Sequence, residues 1–147
     1  MNVSSNLIDV KDVTKYYGKQ KVLDELSFSV EPGKIVGLLG PNGSGKTTII
    51  KILNGLIKDY KGDVRVCDYE IGVESKNLIS YLPDVDILPS WLKVSDTVKL
   101  YKDFYKDFDH DKAYELLNTL KVIENKKISQ LSKGMKEKLM LALTMSR

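Results

Sequence analysis

Gly40-Pro41-Asn42-Gly43-Ser44-Gly45-Lys46-Thr47-Thr48 is the stretch on which the reading of this sequence turns. It fits G-x-x-x-x-G-K-[ST], a spacing with a physical reason behind each fixed position. Glycines let the backbone curl tightly, so that successive N–H groups point inward at one anion. A helix starting at the lysine adds its unpaired N–H groups and the positive end of its dipole. The Lys46 ammonium is long enough to reach the outer phosphates of a triphosphate. The Thr47 hydroxyl is an oxygen ligand of the kind Mg²⁺ prefers.

The flanks pass the context test. Ile35-Val36-Gly37-Leu38-Leu39 is a continuous apolar run, which predicts a strand buried on both faces. Ile49, Ile52, Leu53 and Leu56 recur at i, i+3, i+4 and i+7, the stripe of an amphipathic helix that ends near 55–58.

Further toward the N-terminus, residues 7–13 and 22–30 are short, partly alternating apolar segments separated by Tyr17-Gly18-Lys19. They predict strands of an antiparallel layer. Val64 and Val66 after Gly62 predict another strand, and Leu78 to Leu82, stopped by Pro83, one more. From there the pattern is helical. Ser95 is placed to cap a helix carrying Val98, Tyr101, Phe104 and Tyr105. Asp109 or Asp111 caps a second, with Ala113, Leu116, Leu117 and Leu120 on its apolar face. A third begins after Ser132, with Met135, Leu139 and Leu143 in line, and runs toward Arg147 without a stop signal. That open ending predicts a chain cut from a longer domain.

Composition narrows the alternatives. The 147 residues are 42% hydrophobic and 29% charged, enough for one modest core. A net charge of +3, with both signs interleaved, gives no reason to expect nucleic acid as a partner. The one cysteine, Cys67, excludes an internal disulfide. No apolar run approaches the ~18–20 residues of a membrane span.

Three features together carry a family resemblance from about residue 7 to the last residue. Val13-Thr14-Lys15-Tyr16-Tyr17-Gly18, followed by Val22-Leu23 and Phe28-Ser29-Val30, resembles the N-terminal strands of ABC ATPases. Gly40 to Thr48 has the form of phosphate loop those proteins favour. Leu131-Ser132-Lys133-Gly134-Met135 resembles their LSGGQ signature. The whole is most similar to the ATP-binding subunits of bacterial ABC-2 type exporters.

The resemblance implies an α/β fold. It has a P-loop NTPase core with an N-terminal antiparallel β layer over about 1–88, and an α-helical subdomain over about 89–147, incomplete at the C-terminus. It implies MgATP as ligand and a head-to-tail dimer with a second ATP-binding subunit. A polytopic membrane subunit would hold the protein on the inner face of the cell membrane.

By position, Tyr17 matches the aromatic that stacks on adenine; its alternative is a core or turn tyrosine, and Tyr16 stands beside it. Gly40, Pro41, Asn42, Gly43, Ser44, Gly45, Lys46, Thr47 and Thr48 match the nucleotide-binding loop, with Lys46 also stabilising charge during hydrolysis. Ser132, Lys133, Gly134 and Met135 match the residues that meet the partner's nucleotide, with Ser132 free to act as a helix cap as well. Lys133 stands for a glycine and Met135 for a glutamine.

Asp84, in Tyr81-Leu82-Pro83-Asp84, stands where the family has a glutamine that touches Mg²⁺ and the attacking water. Aspartate is shorter and, when ionised, only accepts hydrogen bonds. It either keeps that role or is a turn residue after Pro83. Ile87, Leu88, Trp91 and Leu92 are either core or part of a groove for the membrane subunit. The family's acidic pair and switch histidine have no match, and His110 is not placed to be that histidine. Hence the expectation is nucleotide binding with negligible turnover by this chain. Two other readings remain: a non-transport ABC ATPase of translation or DNA repair, and a P-loop binding module that never hydrolyses.

Overall fold

The computed structural model describes residues 6–83, 85 and 87–147. The chain divides into two compact units, Met1–Ile79 and Ser80–Arg147.

The first unit is built on a four-stranded antiparallel sheet. Its strands are β1 (Ile8–Tyr17), β2 (Gln20–Val30), β3 (Lys61–Val66) and β4 (Tyr69–Glu70), in the order β2-β1-β3-β4. The register runs from Ile8 opposite Val30 to Tyr17 opposite Gln20, so Gly18 and Lys19 form the tight turn. Helix α1 (Lys46–Leu53) lays Ile49 and Ile52 on Val10, Val13, Leu23 and Val64, making the core of this unit. A five-residue helix, α2 (Val73–Asn77), and the two-residue β4 carry too little periodicity to be read from sequence.

β1 does not alternate cleanly, and the reason is a bulge. Asp12 has φ 51°, and Glu25 on β2, across from Thr14, has φ 47°. The ladder bonds broken there are replaced by side chains. The Asp12 N–H donates to Ser27 Oγ at 2.8 Å, and the Glu25 N–H donates to Thr14 Oγ1 at 3.0 Å. The extra residue shifts the phase of the strand. Val10 points into the core before the bulge; Val13 and Lys15 do so after it. The inward set therefore changes from even to odd numbers.

Two predicted strands do not form. Ile35–Leu39 is irregular, with Ile35 105% and Leu39 92% exposed. Residues 78–82 follow α2 as a turn and then irregular chain, with Leu78 and Leu82 exposed. A strand buried on both faces exists only where neighbouring strands supply its hydrogen bonds and covering layers supply its contacts. Among the described residues, neither run has a ladder partner.

The second unit is helical: α3 (Val94–Phe104), α4 (His110–Thr119) and α5 (Lys133–Met145), with a 3₁₀ turn at Ile128–Gln130. Val94, Val98, Ala113, Leu117, Ile128, Leu139, Ala142 and Leu143 are fully buried and form its core. Phe104, placed on the apolar stripe by sequence, is exposed, and Phe108 is buried instead.

The caps follow the sequence in two cases of three. Asp109 caps α4 by accepting from the Lys112 N–H at 3.0 Å, and Ser132 caps α5 by accepting from the Met135 N–H at 3.3 Å. Ser95 does not cap α3; Lys93 is the N-cap residue, without a side-chain bond. The N–H groups of Val94 and Ser95 donate to the carbonyls of Lys126 and Glu124 instead. A neighbouring loop thus does what a capping side chain usually does.

The Ser146 carbonyl accepts from the Asp109 N–H at 2.7 Å. The Arg147 guanidinium lies 3.3 Å from Asp107 and 4.0 Å from the centroid of the Tyr105 ring.

Candidate functional site

The loop from Gly40 to Gly45 leads directly into α1. Gly43 has φ 82° with nothing near its missing side chain, so glycine serves conformation there. Gly45 has φ 89°, and a Cβ on it would lie 2.6 Å from Leu23 Cδ2 and 2.9 Å from the Val22 carbonyl oxygen. Glycine at 45 serves both conformation and room: the loop can dock against the start of β2 only without a side chain.

Gly45 is also the N-cap of α1 and has nothing to cap with. The first intrahelical bond is from the Ile49 N–H to the Gly45 carbonyl, 3.0 Å. The amides of Lys46, Thr47 and Thr48 are therefore left without an intrahelical acceptor, which is the condition for anion capture at a helix start. The Lys46 ammonium reaches back over the loop, 2.7 Å from the Gly40 carbonyl oxygen and 2.7 Å from that of Pro41. The Ser44 N–H donates to the Pro41 carbonyl at 3.3 Å. Pro41, Asn42, Ser44 and Thr47 are exposed, while Thr48 is buried under the loop. The arrangement gathers one cation and several amides around one exposed bend.

The turn between β1 and β2 belongs to the same site. Val22 and Leu23 touch Gly45, and Tyr17 pairs with Gln20 just beyond them. The bulge at Asp12 settles which tyrosine lies on which face. Tyr17 lies on the side of Lys15, whose ammonium is 5.2 Å from the ring centroid. Tyr16 faces away and lies against Lys21, 5.9 Å from its ring centroid. The sequence reading passed over Lys15 and its ion-pair partner Asp59. The available signal was a lysine in step with Val13 and Tyr17.

The signature residues lie in the second unit. Ser132 caps α5, Lys133 is exposed with Glu137 4.0 Å away, and Met135 is half-buried. Gly134 has ordinary helical geometry, and a Cβ there would meet nothing within 4 Å. Nothing in this chain requires a glycine at 134. Gly134→Ala is therefore expected to raise the stability of this unit by about 0.5–1 kcal/mol, the helix-propensity difference. Urea unfolding followed by far-ultraviolet dichroism measures it; a loss of stability would reveal a contact that the backbone geometry does not show.

Asp84 lies outside the described residues. Of the apolar group after it, Leu88 is buried and Leu92 half-buried, while Ile87 is exposed and Trp91 is 70% exposed. A cavity of about 400 Å³ is lined by Leu82, Pro83 and Val85 on one side and by Leu131, Lys136 and Met140 on the other. Among the described residues no His, Cys, Asp and Glu cluster forms a ready-made metal site.

Comparison with known proteins agrees with the geometry. The family model described as ABC transporter matches residues 23–147. An uncharacterized ABC transporter ATP-binding protein of Methanocaldococcus jannaschii is 42% identical over 136 residues, covering 89% of this chain and 48% of that protein. A zinc import ATP-binding protein of Ehrlichia ruminantium is 35% identical over 144 residues, covering 95% of this chain and 56% of its own length. The solved structure of an ATP-binding subunit of an ABC transporter superposes with TM-score 0.80 at 28% identity, covering 94% of this chain and 61% of that one. The chain thus spans about half the length of the curated relatives it matches. With a phosphate loop, a β layer and a helical unit all matched, the chain belongs to the ABC transporter family, as part of its ATP-binding domain.

Proposed function

We propose that this chain binds MgATP as part of a subunit that powers export through a membrane partner. The observation that carries this reading is the exposed bend at 40–48, where Lys46 and the uncapped start of α1 converge. In it Lys46 and the loop amides hold the β- and γ-phosphates, and Tyr17 stacks on the adenine. Thr47, with Asp84, would hold Mg²⁺, which when bound neutralises phosphate charge. Phosphoryl transfer asks a protein mainly for positioning and charge stabilisation, and Lys46 supplies both.

Ser132, Lys133, Gly134 and Met135 would face the nucleotide held by a second ATP-binding subunit. The Ser132 hydroxyl and the positive end of α5 would face that phosphate, and a side chain at 134 would intrude where it approaches. A membrane subunit is the natural partner, because no helix among the described residues is long and apolar enough to cross a bilayer. Through that partner the protein would sit on the inner face of the cell membrane. Export, rather than import, rests on the form of the signature at 131–135. The zinc import relative favours the opposite direction.

Calorimetric titration with MgATP tests the binding claim, and phosphate release tests turnover. We expect saturable heat that depends on Lys46, and turnover no higher than that of a Lys46→Ala control. The sequence contains no buried strand ending in an acidic pair to activate water. Turnover well above the control would overturn that part. In the complete protein, Asp84→Ala should lower hydrolysis more than ATP binding; unchanged turnover would remove Asp84 from the site.

A further inference from the structure

Among the described residues of the first unit, Lys15 is the one buried charged residue, with its side chain only 7% exposed. Burying a lysine stem and most of its head costs free energy unless the ammonium finds partners. It has two. The Asp59 carboxylate accepts at 3.0 Å, and the face of the Tyr17 ring lies 5.2 Å away. Asp59 itself is fully exposed, so it holds the ammonium from the solvent side without blocking the ring. Tyr17 is 50% exposed, as expected of an aromatic with one face covered and one open.

The phase shift at Asp12 is what makes this arrangement possible. It turns Val13, Lys15 and Tyr17 to one side of β1, and the returning strand β2 sets Val22 and Leu23 against Gly45 of the phosphate loop. An unsupported tyrosine at a hairpin end samples several rotamers, and a ligand that stacks on it must freeze one. A cation over one face removes that freedom in advance and leaves the opposite face for a flat ligand.

We propose that Lys15 is a positioning residue for nucleobase binding: held by Asp59, its ammonium fixes the Tyr17 ring with one face free. This deepens the reading of Tyr17 as the base-stacking residue and rests on it. The Lys15 ammonium is committed to Asp59 and the Tyr17 ring, so its effect is expected on base binding and not on the phosphates.

The test compares two ligands, MgATP and inorganic tripolyphosphate with magnesium, titrated into the 147-residue chain and its variants. Lys15→Met is expected to weaken ATP binding about threefold to tenfold, the scale of a cation–π contact and one frozen side chain. Tripolyphosphate binding should be unchanged. Lys15→Arg should restore ATP binding to within about twofold, since a guanidinium also stacks on the ring. Tyr17→Ala should weaken ATP but not tripolyphosphate, and adding Lys15→Met to it should change nothing more.

The failures separate cleanly. If Tyr17→Ala binds ATP like the parent, the stacking reading is wrong and the proposal goes with it. If Tyr17→Ala weakens ATP binding but Lys15→Met does not, only the proposal is overturned. Equal weakening of both ligands, or an added loss in the Tyr17→Ala background, would make Lys15 merely structural. If Lys15→Met does not fold, Asp59→Asn decides in its place, because it alters a fully exposed carboxylate. About threefold weaker ATP with unchanged tripolyphosphate supports the proposal, and unchanged ATP overturns it.

Discussion

Lys46→Ala should leave the fold in place and lower affinity for MgATP by roughly 100-fold to 10,000-fold. The binding loss follows from the contacts at stake. Charged hydrogen bonds are typically worth ~1.5–3 kcal/mol each, and the ammonium is long enough to meet two phosphates; every 1.4 kcal/mol is about tenfold. The unchanged fold follows from what Lys46 does in this structure. Its ammonium bonds the Gly40 and Pro41 carbonyls of an exposed loop, where water replaces it readily. Surface changes of that kind usually stay within about 0.5 kcal/mol. On ligand binding, the same ammonium must exchange carbonyl oxygens for phosphate oxygens, a stronger class of acceptor. Calorimetric titration beside a thermal melt separates the two effects. Unaltered affinity would remove the phosphate loop from function, and a collapsed melt would show that Lys46 holds the bend together.

Gly45→Ala should be a strongly damaging single methyl in the first unit, costing about 2–5 kcal/mol. Two terms add. A side chain in the left-handed region costs roughly 1–2 kcal/mol. Forcing it into a packed contact costs about 1–3 kcal/mol more. Leu23 Cδ2 is the end of a flexible side chain and can move, but the Val22 carbonyl is part of the β2 backbone. Relief therefore requires α1 to back away from the sheet, which opens the core at Ile49 and Ile52. Gly43→Ala is the matched control. Its φ is 82°, similar to that of Gly45, but its Cβ meets nothing within 4 Å, so only the conformational term applies. Urea denaturation of the two variants measures the difference. Equal losses would mean that the Gly45 contact relaxes at no cost.

These contrasts mark how much of the molecule was legible beforehand. The phosphate loop was legible because each of its positions has a local reason: a torsion, a charge, a helix start. The amphipathic helices were legible for a similar reason, since Ile49 and Ile52, or Leu139 and Leu143, repeat at the helical period and are buried. Asp109 and Ser132 were legible as caps because a cap acts within four residues. The run Ile35–Leu39 was misread because apolar content reports what a segment needs, not whether its strand neighbours are at hand. Ser95 was misread because a distant loop already satisfied the amides it was expected to cap.

What the sequence determined alone was the chemistry of the bend at 40–48 and the kinship that Gly40 to Thr48 and Leu131 to Met135 carry. Both depend on short-range order along the chain. What only the tertiary structure decided was which way side chains face once a strand changes phase. The bulge at Asp12 is held across the strands, with Ser27 Oγ accepting from the Asp12 N–H and donating to the Asp12 carboxylate. It turns Tyr17, and not Tyr16, toward Lys15 and leaves the ring with one covered and one open face. A one-residue slip reverses every later side chain in a strand, and no local pattern records where the slip occurs.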